Sequence, residues 1–168
     1  MGFAKNIDQS FDAIVARADA PIWIVTATAG ERQAGCLVGF ATQVSIEPRR
    51  FLVGLSTAND TFTVAAQARH LAVHLLGEEG FALAQLFGSE TGADLNKFEH
   101  CDWRPGPHGL PILAGAAAWF TGRVLARTDL GDHQGFVLSP TAASDPTPAT
   151  RGLRYHDVAD LEPGQPTG

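Results

Sequence analysis

A tripeptide of Gly131, Asp132 and His133 lies immediately before an apolar, strand-like segment of the chain. Gly and Asp are common in turns, because Gly accepts a positive φ and Asp hydrogen-bonds to nearby backbone groups. The same three residues could instead mark a reaction centre, with His133 supplying the reactive side chain. Taken alone, the tripeptide leaves both interpretations open.

A second group of polar residues lies where a strand-like segment runs into the start of a helix. Hydroxyl and amide side chains gather here beside backbone N–H groups that the first turn of a helix leaves unpaired. Such a helix start can hold a phosphate group, whereas simple capping of the helix would use the same residues. Asp60 adds a negative charge that opposes an anion, and no basic residue lies within the segment. The residues concerned are Ser56, Thr57, Asn59 and Thr61.

Other candidate sites receive little support from the sequence. His70 and His74 are four residues apart, but their segment favours a strand and carries no HExxH pattern, so we expect core or cross-strand histidines and no metal site. The metal-capable side chains at 99–103 are adjacent in sequence and are expected to lie in a loop. Cys36 lies in an apolar run, where a thiol is usually packed and unreactive. Neither a P-loop nor a dinucleotide-binding glycine motif is present.

The composition is that of an ordinary globular protein. The chain has 168 residues, of which 45% are hydrophobic and 18% are charged, and this length allows a sizeable core. Its net charge of -6 argues against a nucleic-acid partner, which would usually require a basic face. The N-terminus lacks the apolar stretch of a secretory signal, and the apolar runs are too short for a membrane span. We therefore expect a cytoplasmic protein with no membrane association.

The order of apolar patterns predicts one mainly β domain over residues 1–168. A helix is expected within residues 1–19, because apolar residues recur there at spacings of three and four, and residues 157–168 have the composition of a loose tail. Helices are also expected after the strand "RFLVGLS" and over "EEGFALAQLFG", and "AGCLVGFATQVSIEP" is expected to be one extended segment. The last segment with strand-like character is "GLRYHD". Strands and helices do not alternate, so the pattern favours an antiparallel, barrel-like sheet with inserted helices over a doubly wound parallel sheet.

The order of several motifs resembles the flavin reductase-like family, which has an FMN-binding split-barrel fold. The segments "PIWIVTAT", "AGCLVGFATQVSIEPRRFLVGLS", "LAVHLL", "KFEHCDW", "GLPILAGAAAWFTGRVLA" and "GDHQGFVL" carry the resemblance, which covers residues 20–140. It implies an antiparallel split β-barrel that forms a homodimer and binds flavin near the subunit interface. It also implies an NAD(P)H-dependent flavin reductase that uses FMN, with FAD as a second option, and that can supply a partner monooxygenase.

The resemblance also implies positions for the site residues. A C-terminal aromatic segment of the family corresponds to Tyr155 and His156. His133 would lie near the nicotinamide and the flavin ring, as the catalytic side chain. The flavin ring would lie along Leu37, Val38, Gly39 and Phe40, with the phosphate beside Ser56, Thr57, Asn59 and Thr61.

One segment of the chain differs from the family pattern. Many members carry Thr followed by Ser or Asn where this chain has Leu37, Val38, Gly39 and Phe40. The difference makes the expected pocket less polar and leaves backbone N–H groups to bind the ring edge. It favours an alternative hypothesis, a non-catalytic split barrel that binds flavin, haem or another planar ligand. A dimeric scaffold without a ligand is the third hypothesis.

Overall fold

A curled antiparallel sheet forms the body of the protein in a computed structural model, which describes residues 2–89, 95–145 and 151–161. Seven strands join in the order β2-β1-β5-β8-β9-β4-β3, and β6 pairs with β7 in a separate hairpin. Strands β2 and β4 are not neighbours in this order, yet they contact each other, so the sheet curls until its two sides approach. The strands are β1 (Trp23–Ala29), β2 (Arg32–Val38), β3 (Ala41–Ser45), β4 (Arg50–Ser56), β5 (His70–Leu75), β6 (Trp103–Pro105), β7 (Pro111–Leu113), β8 (Ala118–Asp129) and β9 (His133–Ala143).

Four α-helices accompany the sheet in the described part of the chain. They are α1 (Ile7–Ala18), α2 (Asp60–Ala65), α3 (Phe81–Ser89) and α4 (Tyr155–Val158). Helix α2 packs against β1, β2 and β4 at the inner side of the curl. Neighbouring residues of β1 point to opposite faces: Val25 lies in the inner core with Val64 of α2, whereas Ile24 lies in a second core with Phe87 of α3. Both faces of β1 are therefore covered, which explains its continuous apolar sequence.

Helix α1 confirms the expected helix but not the burial that its apolar spacing indicates. Asn6 caps its start by accepting a hydrogen bond from the Gln9 N–H at 3.0 Å. The apolar side chains Ile7, Phe11 and Ile14 are 76%, 61% and 69% exposed. The stripe on α1 is therefore not covered by the described residues of this chain.

The chain between β1 and β4 forms two strands where one extended segment was expected. Strand β2 pairs with β1 at one edge of the sheet and β3 pairs with β4 at the other edge. The chain crosses between the two edges at Gly39 and Phe40, and the Gly54 N–H of β4 donates to the Phe40 carbonyl at 2.7 Å. One continuous strand could not lie at both edges, so the expectation was wrong at this point.

The C-terminal segment also differs from the expectation. "GLRYHD" is not a strand: it makes isolated bridges and then enters α4. Residues 157–161 are not a loose tail, because Asp157 and Val158 belong to α4 and Val158 is only 8% exposed. Residues 162–168 lie outside the described residues. Among the helices that the structure describes, none has the length and apolar character needed to cross a membrane.

Candidate functional site

Several parts of the chain that are far apart in sequence line one cleft of about 480 Å³. The end of β2, the end of β4, the start of β9 and the region of helix α4 supply most of its walls, and Ile22 and Gly88 of α3 complete them. The lining is apolar over most of its surface and polar where β4 and β9 meet. Of the residues predicted for the site, the cleft brings together Leu37, Val38, Gly39, Phe40, Ser56, Asn59, His133 and Tyr155.

The tripeptide that contains His133 is a turn and also places a side chain in the cleft. It connects β8 to β9, and Gly131 adopts a φ of 118°, which favours glycine. The Asp129 carboxylate accepts from the Gly131 N–H at 2.9 Å, and the Leu130 N–H donates to the His133 carbonyl at 3.0 Å. His133 then pairs with Ser56 of β4, so the turn aligns it with the polar end of the cleft.

Two neighbours hold the His133 ring in place. Its Nδ1 lies 2.7 Å from an Asp132 carboxylate oxygen, and its ring centroid lies 4.8 Å from that of Phe40. The Asp132 side chain is 95% exposed and that of His133 is 25% exposed. The hydrogen bond and charge of His133 lower the pKa of the Asp132 carboxyl, so this carboxylate orients the imidazole from the solvent side.

The segment of residues 37–40 presents mainly backbone to the polar part of the cleft. Leu37 packs towards α3 and Val38 packs into the inner core at 3% exposure. The lack of hydroxyl side chains at these two positions therefore reflects core packing. Within the described residues, neither the Gly39 N–H nor the Phe40 N–H donates a hydrogen bond to another part of the chain. These two donors lie beside the cleft, and Gly54 allows the Phe40 backbone to approach β4 closely.

The turn after β4 divides the four predicted phosphate-site residues into two groups. Ser56 and Asn59 line the cleft, and their side-chain oxygens accept from the Ala58 N–H at 3.3 Å and the Thr61 N–H at 2.9 Å. The Thr57 hydroxyl instead donates to the Asp132 carbonyl at 3.1 Å and so braces the turn that carries His133.

Thr61 is placed away from the cleft, against the sequence prediction. Thr61 is only 1% exposed and does not belong to the lining of this cleft. Burial raises the pKa of the Cys36 thiol, which agrees with the expected packing role of this cysteine. Thr61 was chosen because it lies near a helix start, but the first turn of a helix has an inward as well as an outward face.

Three features of the site were missed by the sequence analysis. Arg32 at the start of β2 pairs with Asp60 at the start of α2 at 3.2 Å, which offsets the negative charge noted there. Ile22 and Val158 form part of the apolar wall. Their segments meet because the Tyr155 N–H donates to the Ala20 carbonyl at 2.8 Å. Such long-range contacts leave no local signal in the sequence.

The C-terminal pair predicted from the family resemblance is split by the structure. Tyr155 lines the cleft, whereas His156 is absent from its lining. The His156 Nδ1 lies 3.5 Å from an Asp19 carboxylate oxygen, and the backbone N–H of His156 donates to the same carboxylate at 2.9 Å. His156 therefore anchors α4 to the segment that follows α1.

The histidines of β5 have other partners. His74 is fully buried, and its two ring nitrogens bond to the Ile24 carbonyl and the Leu113 N–H, both at 3.1 Å. This confirms the prediction of a core histidine. His70 stacks on His108 with ring centroids 3.6 Å apart. In the described ranges, no group of three or more metal-capable side chains is close enough to hold a metal ion.

Comparison with known proteins assigns the chain to a family. A model described as "Flavin reductase like domain" matches residues 15–159. The chain belongs to the flavin reductase-like domain family. The match includes every part of the chain that lines the cleft except Leu161.

Members of the flavin reductase-like family resemble the chain in sequence and in structure. An "FMN reductase (NADH) RutF" from Klebsiella pneumoniae is 29% identical over 148 residues, which cover 88% of this chain and 89% of the relative. A flavin reductase domain protein from Arthrobacter sp. FB24 superimposes with a TM-score of 0.79 at 23% identity, covering 96% of this chain and 97% of the other. Component B of a nitrilotriacetate monooxygenase from Mycobacterium thermoresistibile gives a TM-score of 0.77 at 22% identity, covering 90% and 85%. These structures confirm the expected antiparallel split barrel.

The residues of the cleft fit a flavin. An isoalloxazine ring is flat and largely apolar, with acceptor atoms along one edge, and the cleft offers apolar walls with backbone donors at Gly39 and Phe40. The hydroxyl and amide side chains of Ser56 and Asn59 lie at its polar end. The cleft therefore provides both kinds of surface that such a ligand needs.

Proposed function

We propose that this protein is an NADH-dependent FMN reductase that binds flavin in the cleft of about 480 Å³. The observation that carries the proposal is the convergence of residues 37–40, Ser56, Asn59 and His133 on that cleft. It is supported by the relative from Klebsiella pneumoniae, which is named as an NADH-dependent FMN reductase. FMN is the flavin we expect, and FAD is the second option.

The flavin ring is proposed to lie along residues 37–40. The Gly39 and Phe40 N–H groups would donate to its polar edge, and Leu37 and Ile22 would contact its apolar part. The phosphate is proposed to lie towards Ser56 and Asn59. Thr57 and Thr61 have no direct contact with the ligand in this proposal, because their side chains point to the His133 turn and to the core.

His133 is proposed to orient the nicotinamide against the flavin. Flavin and nicotinamide together supply the hydride-transfer chemistry, so the protein has to bind and align them. The ring of His133 is held by Asp132 and Phe40, and it is only 25% exposed at the edge of the cleft. A fixed imidazole there can donate or accept a hydrogen bond without losing much conformational freedom on binding.

Anaerobic stopped-flow reduction of FMN by NADH tests this role. We expect His133→Ala to lower the rate of flavin reduction by about tenfold or more, with an unchanged melting temperature. Thr28→Val is a control, because the Thr28 hydroxyl also makes an exposed hydrogen bond, to the Arg32 carbonyl, but lies outside the cleft. An unchanged rate in His133→Ala would remove this residue from the proposal, and a wild-type protein that neither binds nor reduces FMN would remove the function.

The structure weakens the reason for a non-catalytic planar-ligand barrel. That hypothesis depended on the apolar residues at 37–40, but Val38 is buried in the inner core, and only part of Leu37 faces the cleft because it also packs against α3. The absorbance of the purified protein separates the ligands, since flavin absorbs in the blue and haem gives a Soret band. A Soret band without NADH consumption would support the non-catalytic hypothesis.

A homodimer is proposed as the assembly that covers α1. Its exposed apolar stripe contains Ile7, Phe11 and Ile14, and large exposed apolar patches are characteristic of interaction surfaces. We expect Phe11→Glu to shift the protein towards a monomer in sedimentation-velocity experiments. Phe3→Glu is the control, because Phe3 precedes the helix and is fully exposed to solvent, so a charge there adds nothing to the stripe on α1. An unchanged mass for Phe11→Glu would exclude α1 from the interface.

A separate enzyme that uses the reduced flavin is the proposed partner. The structurally similar protein from Mycobacterium thermoresistibile is named as component B of a nitrilotriacetate monooxygenase. The use of NADH also supports the expectation of a cytoplasmic protein. Transfer of reduced FMN to a monooxygenase, measured as substrate oxidation in a coupled assay, tests the partner.

A further inference from the structure

A buried lysine lies outside the residues that the proposed function uses. Lys97 is only 4% exposed and begins a short 3₁₀ turn, Lys97–Glu99. Its Nζ donates to the Gly35 carbonyl of β2 and to the Phe87 carbonyl of α3, both at 3.1 Å. It also lies 5.4 Å from the centre of the Phe87 ring. Burying an ammonium group is costly unless polar partners compensate it, so its position requires an explanation.

The two carbonyls belong to elements that form one side of the cleft. Gly35 lies in β2 shortly before residues 37–40, and Phe87 precedes Gly88, which lines the cleft. The two elements are in close contact: a Cβ on Gly35 would lie 2.7 Å from the Phe87 ring, and a Cβ on Gly88 would lie 2.8 Å from Leu37. A small change in the spacing of β2 and α3 would therefore move the side of the cleft that these two elements form.

The short turn that carries Lys97 is held by a cap and by aromatic packing. Asn96 caps the turn by accepting from the Phe98 N–H at 3.1 Å, and the Phe98 ring packs against those of Phe87 and Trp103. Both acceptor carbonyls also favour a cation. Phe87 lies in the last turn of α3, where carbonyl groups carry partial negative charge, and β2 is an edge strand with carbonyls that face away from its single neighbour.

We propose that Lys97 is a positioning residue for flavin binding, which fixes the distance between β2 and α3 and so the conformation of residues 37–40. The proposal rests on the proposed function for one of its tests, the kinetics with FMN and NADH. Its other test, amide hydrogen exchange, needs no ligand. A lysine suits this role because its stem can cross the apolar core while its ammonium donates to the two carbonyl groups.

Amide hydrogen exchange in the ligand-free protein tests the structural part. We expect Lys97→Met to accelerate exchange in β2 by about tenfold or more, because opening of the edge strand becomes easier. Thr121→Val is the matched control, because it also removes a hydrogen bond of a buried residue, the one between the Thr121 and Thr141 hydroxyls at 2.9 Å, but lies away from the cleft. Unchanged exchange in β2 of Lys97→Met would overturn the proposal.

Steady-state kinetics with FMN and NADH test the functional part. We expect Lys97→Met to raise KM for FMN by about tenfold with kcat within about threefold, as for a loss of binding without a loss of chemistry. Thr121→Val should leave KM within about twofold at a similar loss of melting temperature. Equal KM changes in both variants would reduce Lys97 to a general stabilising residue. If Lys97→Met gives no folded protein, Lys97→Gln, which keeps a neutral donor, enters the same two measurements.

Failure of the positioning role can be distinguished from failure of the proposed function. A wild-type protein that does not bind FMN contradicts the function, whereas hydrogen exchange still decides whether Lys97 orders β2. A wild-type protein that reduces FMN, combined with an unaffected KM in Lys97→Met, contradicts the positioning role alone.

Discussion

The buried histidine of β5 makes the stability of the protein depend on pH. The His74 Nε2 accepts from the Leu113 N–H, so its Nδ1 must carry the proton that is donated to the Ile24 carbonyl. This neutral form connects β5 with β1 and β7. Adding a second proton would remove the acceptor for Leu113 and place a charge in a fully buried position. Lowering the pH should therefore destabilise the wild type more than the variant His74→Gln, whose side chain does not titrate.

The size of the effect follows from the pKa of His74. Burial lowers this pKa from 6.5 to about 4, although the hydrogen bond to the Ile24 carbonyl acts in the opposite direction. Between these values the unfolded chain binds a proton that the folded protein does not, so the free energy of unfolding falls as the pH is lowered. The contribution of His74 is present above pH 6.5 and is lost progressively towards pH 4. Between pH 7 and pH 5 the loss is about 2 kcal/mol.

Urea unfolding at several pH values measures this loss. We expect the wild type to lose about 2 kcal/mol more stability than His74→Gln between pH 7 and pH 5. The variant has a lower stability at pH 7, because Gln does not reproduce both hydrogen bonds. Comparing how the free energy of unfolding changes with pH in the two proteins removes this offset and also the contributions of the other histidines. Parallel stability curves for the two proteins would refute the argument that His74 is held neutral in the fold.

Three further outcomes are expected. Gly54→Ala should weaken FMN binding several-fold in a fluorescence titration, because the added Cβ would lie 3.3 Å from that of Phe40; an unchanged affinity would show that Phe40 can shift freely. Thr57→Val should lower kcat by about twofold to threefold with little change in melting temperature, because it removes one brace of the His133 turn; a larger loss of stability than of kcat would contradict this. Cys36 should react with a thiol reagent at pH 8 only after unfolding, because burial raises the pKa of its thiol; rapid labelling of the native protein at this cysteine would contradict its packed position.

Much of the fold and part of the site could be predicted from the sequence. The helix of α1, most strands and the turn at Gly131 depend on apolar spacing and on residues with local backbone preferences. His133 stood out for the same reason, because a turn residue immediately before a strand has a defined position. The family resemblance then supplied the split barrel, which the structural comparisons confirm.

The direction of individual side chains could not be predicted in the same way. Thr61 and Asn59 both lie near the start of α2, but one faces the inner core and the other faces the cleft. Leu37 and Val38 are neighbours in the sequence, but Val38 is buried in the inner core, whereas Leu37 packs against α3 and also lines the cleft. In each case the answer depends on which element covers each face, and that element comes from a distant part of the chain.

The sequence by itself determined the order of most elements, the turn that carries His133 and the membership of a β class. Tertiary structure alone decided that β2 and β4 approach each other across the curled sheet, and so that residues 37–40, Ser56 and His133 share one cleft. It also decided that Lys97 is buried between two carbonyl groups and that the stripe on α1 is exposed. The physical reason is that backbone preferences act over a few neighbouring residues, whereas burial and hydrogen-bond partners are set by contacts between residues far apart in sequence.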